Sequence, residues 1–248
     1  MHLIVTRPQP DAEELQRTLE VRGHRVSAAP LLDIRMGQQR PIANRPYQAV
    51  LITSANGARA LAEHPARARL LSKLVFAVGP QSRAAAVAVG FSGVVQAGGD
   101  VGSVIARVKK DLDPARGPIL YLSGEETSGD VEAVLKKTGF EVDRVIMYAA
   151  VPAAHLPAPL IGIIKRRVAE GVLLYSRRTA KVWVKCIAAA NLGPYMDAIT
   201  HFCFSAAVAS AIPSGWQVRI AISASEQAML DLIEDAAQVK IEGPSNGR

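Results

Sequence analysis

The sequence predicts an α/β protein built as two similar lobes, each a parallel sheet flanked by helices. Three observations lead there. Short apolar, β-branched runs alternate with amphipathic helical patterns along the whole chain, which is the pattern of parallel strands covered on both faces. The chain also repeats itself: a strand, polar turn, helix, glycine stop and second strand occur once from Leu3 to Leu31 and again from Ile119 to Tyr148. Finally, 248 residues make two lobes at roughly 100 to 200 residues per domain.

Each element follows from local pattern. Leu3, Ile4 and Val5 form the first strand, Thr6-Arg7-Pro8 the turn, and Ala12, Leu15 and Leu19 recur at helical spacing before Gly23. Ala49 to Ile52 is the next buried strand, followed by a helix from about Asn56 to Glu63 and a strand from Leu74 to Val78. Gly79-Pro80-Gln81-Ser82 turns into an alanine-rich helix stopped at Gly90, then Val94 and Val95 precede a helix opened by Asp100 and running to Lys110. The repeat then gives the strand Ile119 to Leu122, the turn Ser123-Gly124-Glu125, a helix carrying Val131, Val134 and Leu135, and the strand Val142 to Tyr148. Val172 to Ser176 before a helix at Thr179 to Ala190 echoes Val50 to Ser54 before its own helix. His201 to Phe204, a short helix after Ser205, Val218 to Ile222 and a last helix through Asp235 complete the series, and residues after Lys240 read as a frayed tail.

Two domain boundaries fit this pattern. Asp111 to Pro118 divides the halves in sequence; Val151 to Pro159, with Ile34 to Pro41, instead makes the middle of the chain an inserted lobe.

Composition narrows the chemistry. With 49% apolar residues both lobes can bury a core without staples. Cys186 and Cys203 make no CxxC pair and sit in apolar patterns, so they read as buried reduced thiols of a cytoplasmic protein. Arg7 interrupts the apolar start, and no run nears the ~18 residues of a membrane span. A net charge of +7 favours an anionic partner. Aromatics are only 5% of the chain and no nucleic-acid-binding motif is present, so a nucleic acid is the weaker candidate. The five histidines are scattered, and no phosphate loop, dinucleotide fingerprint or nucleophile elbow occurs.

Hydroxyl and amide donors are plentiful instead. The turns at Thr6-Arg7, Thr53 to Gly57, Gly79 to Ser82, Ser123 to Glu125, Ser176 to Thr179 and Ser223 to Ser225 follow strands and precede helices, where open α/β sheets bind ligands and helix starts attract carboxylates. Any one of these serines is also an ordinary helix cap. Three classes stay open: an enzyme that works by holding its substrate in one shape, a two-lobed binder that releases a polycarboxylate unaltered, and a basic nucleic-acid-binding protein.

Several strings resemble the uroporphyrinogen-III synthase family: Val5-Thr6-Arg7-Pro8, Val50 to Ala58, Phe76-Ala77-Val78-Gly79 leading to Ser82, and the strand ending in Tyr148 after Gly139-Phe140-Glu141-Val142. The resemblance spans almost the whole chain in the right order. It implies two lobes joined by two connecting strands, with lobe 1 formed by residues 1–35 and 152–248, lobe 2 by residues 38–148, and connectors at 36–37 and 149–151. It implies a cofactor-free enzyme acting on the polycarboxylate hydroxymethylbilane in a cleft between the lobes; with no long exposed heptad or apolar tail to drive assembly, a monomer is the default. Ser54, Asn56, Ser82 and Ser176 match cleft-lining positions; the strand-end turns themselves add Thr6, Arg7, Gly57, Ser123, Gly124 and Arg177 as further expected substrate contacts. Tyr148 matches the tyrosine suggested to assist loss of the hydroxyl, since a phenol is protonated at neutral pH and can donate. Two departures stand out: Phe204-Ser205-Ala206-Ala207-Val208 lacks the family's glycine and threonine, and Arg177 and Arg178 replace small residues.

Overall fold

The computed structural model describes residues 1–37, 40–127 and 129–242. In chain order, β1 (His2–Val5), α1 (Asp11–Val21) and β2 (Arg25–Ala28) form the first strand-helix-strand unit, with Ala12, Leu15 and Leu19 buried along α1. β3 (Leu32–Met36) follows, then β4 (Ala49–Ile52), α2 (Ala55–Leu61), the short α3 (Arg67–Leu70), β5 (Leu74–Ala77) and α4 (Pro80–Val89). Next are β6 (Val94–Gln96), α5 (Val101–Asp111), β7 (Ile119–Gly124), α6 (Val131–Lys137) and the long β8 (Val142–Pro152). The chain ends with α7 (Ala158–Lys165), β9 (Gly171–Leu174), α8 (Arg177–Ala189), β10 (Thr200–Cys203), α9 (Ala206–Ala209), β11 (Val218–Ile220) and α10 (Glu226–Glu242).

The chain divides into two compact units, one comprising Met1–Asp33 with Val151–Arg248 and the other Ile34–Ala150. Both unit boundaries fall inside strands, within β3 and within β8. The first unit carries a five-stranded sheet in the order β11-β10-β9-β1-β2, and every pairing in it is parallel. The second carries a six-stranded sheet in the order β3-β8-β7-β4-β5-β6, parallel from β8 through β6. Central strands are buried on both faces, as β4 and β9 are at all four positions, which is why they read as continuous apolar runs. In the second unit the two faces hold separate cores. Val50, Ile52, Leu120 and Leu122 pack on one side against α2 and α4 residues such as Ala58 and Ala86; Ala49, Leu51, Ile119 and Tyr121 pack on the other against Val104, Val108 and Leu135.

Several boundaries differ from the sequence reading. The strand expected to reach Ile222 ends at Ile220, and Ile222 is 95% exposed. The last helix continues past Asp235 to Glu242, carrying buried Ala236 on its core face. The tract from Val151 to Pro159, read as a candidate domain boundary, gives two further strand residues, Val151 and Pro152, and then the start of α7, because Pro157 and Pro159 sit at the helix start where a missing N–H costs nothing. The expected beginning of lobe 2, at residue 38, and the tail after 242 lie outside the described residues.

Candidate functional site

In the second unit, β4, β5 and β7 lead into polar side chains and β8 carries Tyr148 within its length, most of these groups being already engaged. Ser54 caps α2 from extended backbone, and its Oγ accepts the Asn56 N–H at 3.3 Å. The preceding Thr53 shares a hydroxyl-hydroxyl hydrogen bond with Tyr121 at 3.0 Å, and burial holds the Tyr121 phenol above its ordinary pKa. Asn56 is buried, and its Oδ1 accepts from the Arg59 guanidinium at 3.0 Å. α2 approaches β7 closely at Gly57: a Cβ there would lie 2.8 Å from the Leu122 carbonyl oxygen. Ser82, expected in a turn, is buried inside the first turn of α4, because the helix already starts at Pro80.

Ser123 and Gly124 are likewise strand residues rather than turn residues. β7 runs to Gly124 because β8 continues to pair with it beyond Ile146. The register shifts there: Ser123 pairs with Ile146 and Gly124 with Tyr148, leaving Met147 as an extra residue in β8. Ser123 is 1% exposed, and its Oγ accepts Nε–H of Arg144 at 2.8 Å. The same guanidinium donates to the carbonyls of Gly124 at 2.9 Å and Glu125 at 2.8 Å. Tyr148 is buried against this turn, and its carbonyl accepts the Glu125 N–H at 2.8 Å.

In the first unit the strand ends are equally occupied. Thr6 is fully buried and donates to the Leu173 carbonyl at 2.6 Å, tying β1 to β9. Arg7, only 7% exposed, pairs with Asp11 at 3.0 Å and with Glu226 at 3.1 Å, and its guanidinium lies 4.7 Å from the centre of the Tyr175 ring. Burial above all, with Glu226 nearby, pushes the Tyr175 phenol well above its ordinary pKa. Ser176 caps α8, accepting the Thr179 N–H at 3.0 Å. Arg177 is the first residue of α8 and stands exposed.

The strand-end donors that sequence analysis singled out thus fall into two groups, one in each unit. In the second, Tyr148, Gly124 and Ser123 meet, while Ser54, Asn56 and Gly57 share the start of α2. Sequence analysis missed Arg144, Tyr121, Tyr175 and Glu226. Arg144 had one signal, a basic residue beside Asp143 inside the otherwise apolar Val142 to Tyr148 run, while the others meet their partners only through the fold. A cavity of about 230 Å³ in the same unit is lined by Met36, Gly37, Arg40, Arg59, Glu63 and His64, among others, and none of the expected site residues lines it. Among the described residues no group of three or more His, Cys, Asp or Glu is placed to hold a metal ion, and no helix is long and apolar enough to cross a membrane.

Comparisons with known proteins agree with this architecture. A family model described as uroporphyrinogen-III synthase HemD matches residues 13–234. No curated protein matches significantly. The structure is similar to a mutant uroporphyrinogen III synthase from the extremely thermophilic bacterium Thermus thermophilus, with a TM-score of 0.63 and 13% identity over 98% of this chain and 100% of that one. It is also similar to uroporphyrinogen-III synthetase from Helicobacter pylori, with a TM-score of 0.64 and 16% identity over 95% of this chain and 100% of that one. At such identities the structural likeness speaks for the fold, and the match of the family model over nearly the whole chain decides the lineage: this chain belongs to the uroporphyrinogen-III synthase family.

Proposed function

We propose that this member of the family closes hydroxymethylbilane into uroporphyrinogen III chiefly by fixing the conformation of its substrate, with the Tyr148 phenol as proton donor to the departing hydroxyl. The family's reaction is a cyclising loss of water with inversion of the terminal pyrrole ring. Left alone, the substrate closes without inversion, so the protein's task is to favour attack at the substituted ring carbon. Orientation of that kind supplies its rate advantage through prepaid entropy. The match of the family model over residues 13–234 is the observation that carries this reading.

The residues suit the task. The substrate's eight carboxylates call for donors, and helix starts such as those of α2 and α8 offer free backbone N–H groups. We place Ser54, Asn56 and Ser82 in one unit, and Ser176 with Arg177 in the other, as the carboxylate contacts. Thr6, Arg7, Gly57 and Ser123 act differently in this reading: their bonds and close contacts inside the units hold the strand ends that present the donors. The enzyme is taken to work as a cytoplasmic monomer, without metal or organic cofactor and without nucleic acid. The free, buried thiols of Cys186 and Cys203 fit a reducing compartment.

Tyr148→Phe tests the assignment of the donor. General acid catalysis contributes about 10²-fold or more, so kcat should fall by at least tenfold while the residual product keeps the inverted ring. A kcat within twofold of the parent protein would remove Tyr148 from the chemistry.

A further inference from the structure

We infer that Gly124 and Arg144 are positioning residues for the Tyr148 phenol, an inference that rests on the role proposed for Tyr148. Three independent observations converge on this contact. The first is the strand register. Along β8, Val142 packs in the core shared with Ile119 and Tyr121, whereas Val145 and Met147 pack in the opposite core, with Leu120 and Leu122. Strict alternation would send Tyr148 to the face opposite Met147. Instead Tyr148 packs in the same core as Met147, because the extra residue in β8 between the Ser123 and Gly124 pairings turns the strand at that point. The bulge therefore chooses the face on which the phenol lies.

The second observation is steric. A Cβ on Gly124 would lie 2.8 Å from Cζ of Tyr148, 3.0 Å from Cε2 and 3.0 Å from the hydroxyl oxygen. All three nearest atoms belong to this one side chain. The backbone of β7 thus supplies the floor on which the ring rests, and only glycine leaves room for the phenol at that height. The third is polar. Arg144 lies four residues before Tyr148 on the same strand and reaches back to Ser123 Oγ, the Gly124 carbonyl and the Glu125 carbonyl. The Glu125 N–H in turn donates to the Tyr148 carbonyl. Arg144 locks the turn that carries the floor, and that turn is bonded to the residue it supports.

A phenol that must donate to one departing oxygen has to be held closely, since a displacement of about 1 Å can cost on the order of a hundredfold in rate. Gly124→Ala should push the ring off its floor, lowering kcat roughly tenfold or more with KM unchanged. Arg144→Lys, which keeps the charge and loses the forked donors, should lower kcat in the same direction.

The decisive experiment combines these kinetics with a thermal cycle over the parent protein, Gly124→Ala, Tyr148→Ala and the double variant. With tyrosine present the alanine at 124 should lower the Tm by roughly 5 °C, and with Tyr148 cut back to alanine the same substitution should cost almost nothing. If Gly124→Ala fails to fold, recovery of the fold in the double variant is the supporting result. Equal losses in both backgrounds would overturn the steric relation. Coupling in the thermal cycle with an unaltered kcat in Gly124→Ala would overturn the positioning role. A kcat unaffected by Tyr148→Phe would instead reject the donor role itself, leaving the thermal cycle to read the contact on its own.

Discussion

Ser123 and Arg144 are joined by a hydrogen bond of 2.8 Å, from the guanidinium Nε–H to the serine oxygen, across β7 and β8. A serine expected to meet the substrate is spent on a charged neighbour inside the unit. Its removal should therefore act on stability before it acts on binding. A hydrogen bond to a charged group is worth about 1.5–3 kcal/mol, so Ser123→Ala should lower the unfolding free energy by about 2 kcal/mol, with KM changed less than twofold. Denaturant unfolding and steady-state kinetics on the same preparation check both halves.

Gly57 meets β7 at a backbone oxygen, which cannot swing aside as a side chain can. The Cβ of Gly57→Ala would stand 2.8 Å from the Leu122 carbonyl oxygen, and α2 would have to lift from the sheet. Overpacking of this kind costs about 1–3 kcal/mol. Chemical denaturation should show a lowered midpoint at unchanged slope.

Arg177 places a positive charge on the first residue of α8, against the sense of the helix dipole. Its removal should relieve that repulsion by about 0.3–1 kcal/mol, so Arg177→Ala is expected to be no less stable than the parent protein. If the guanidinium holds a substrate carboxylate, KM should nonetheless rise several-fold at constant kcat. An unchanged KM would reject the contact.

His201 makes the first unit sensitive to acid. It is fully buried, stacked on Trp216 at 4.9 Å between ring centres, with Nδ1 3.0 Å from the Gln217 carbonyl. Burial lowers its pKa from 6.5 to about 4. Between those values the unfolded chain binds a proton that the folded one refuses, so stability is fully present above pH 6.5 and falls as the pH drops toward 4. The slope from this one group is about 1.4 kcal/mol per pH unit at most. Urea midpoints measured from pH 7 to pH 4.5 should show this loss, and His201→Phe should flatten it.

Much of the fold was legible because local rules decide it. The buried stripe of α1, the Asp100 cap of α5 and the apolar strands β4 and β9 need no knowledge of distant residues. α7 was not legible because prolines at a helix start look the same as prolines in a linker. The site was only half legible, and for a physical reason. Types such as Ser, Thr and Arg announce polar work at strand ends, but whether that work faces a ligand or the protein depends on partners far away in sequence. Thr6 is spent on Leu173, Arg7 on Glu226 and Ser123 on Arg144. The bulge that sets Tyr148 could not be seen at all, since it exists only in the pairing of β8 with β7.

The central claim is that the protein dictates which way the last ring closes. It is tested most directly in a single turnover, with protein in excess over freshly made hydroxymethylbilane and the isomers of the product separated. The account predicts that nearly all product carries the inverted ring. Product in the uninverted form alone, from substrate that is nonetheless bound, would contradict it and leave a two-unit binder of polycarboxylates in its place.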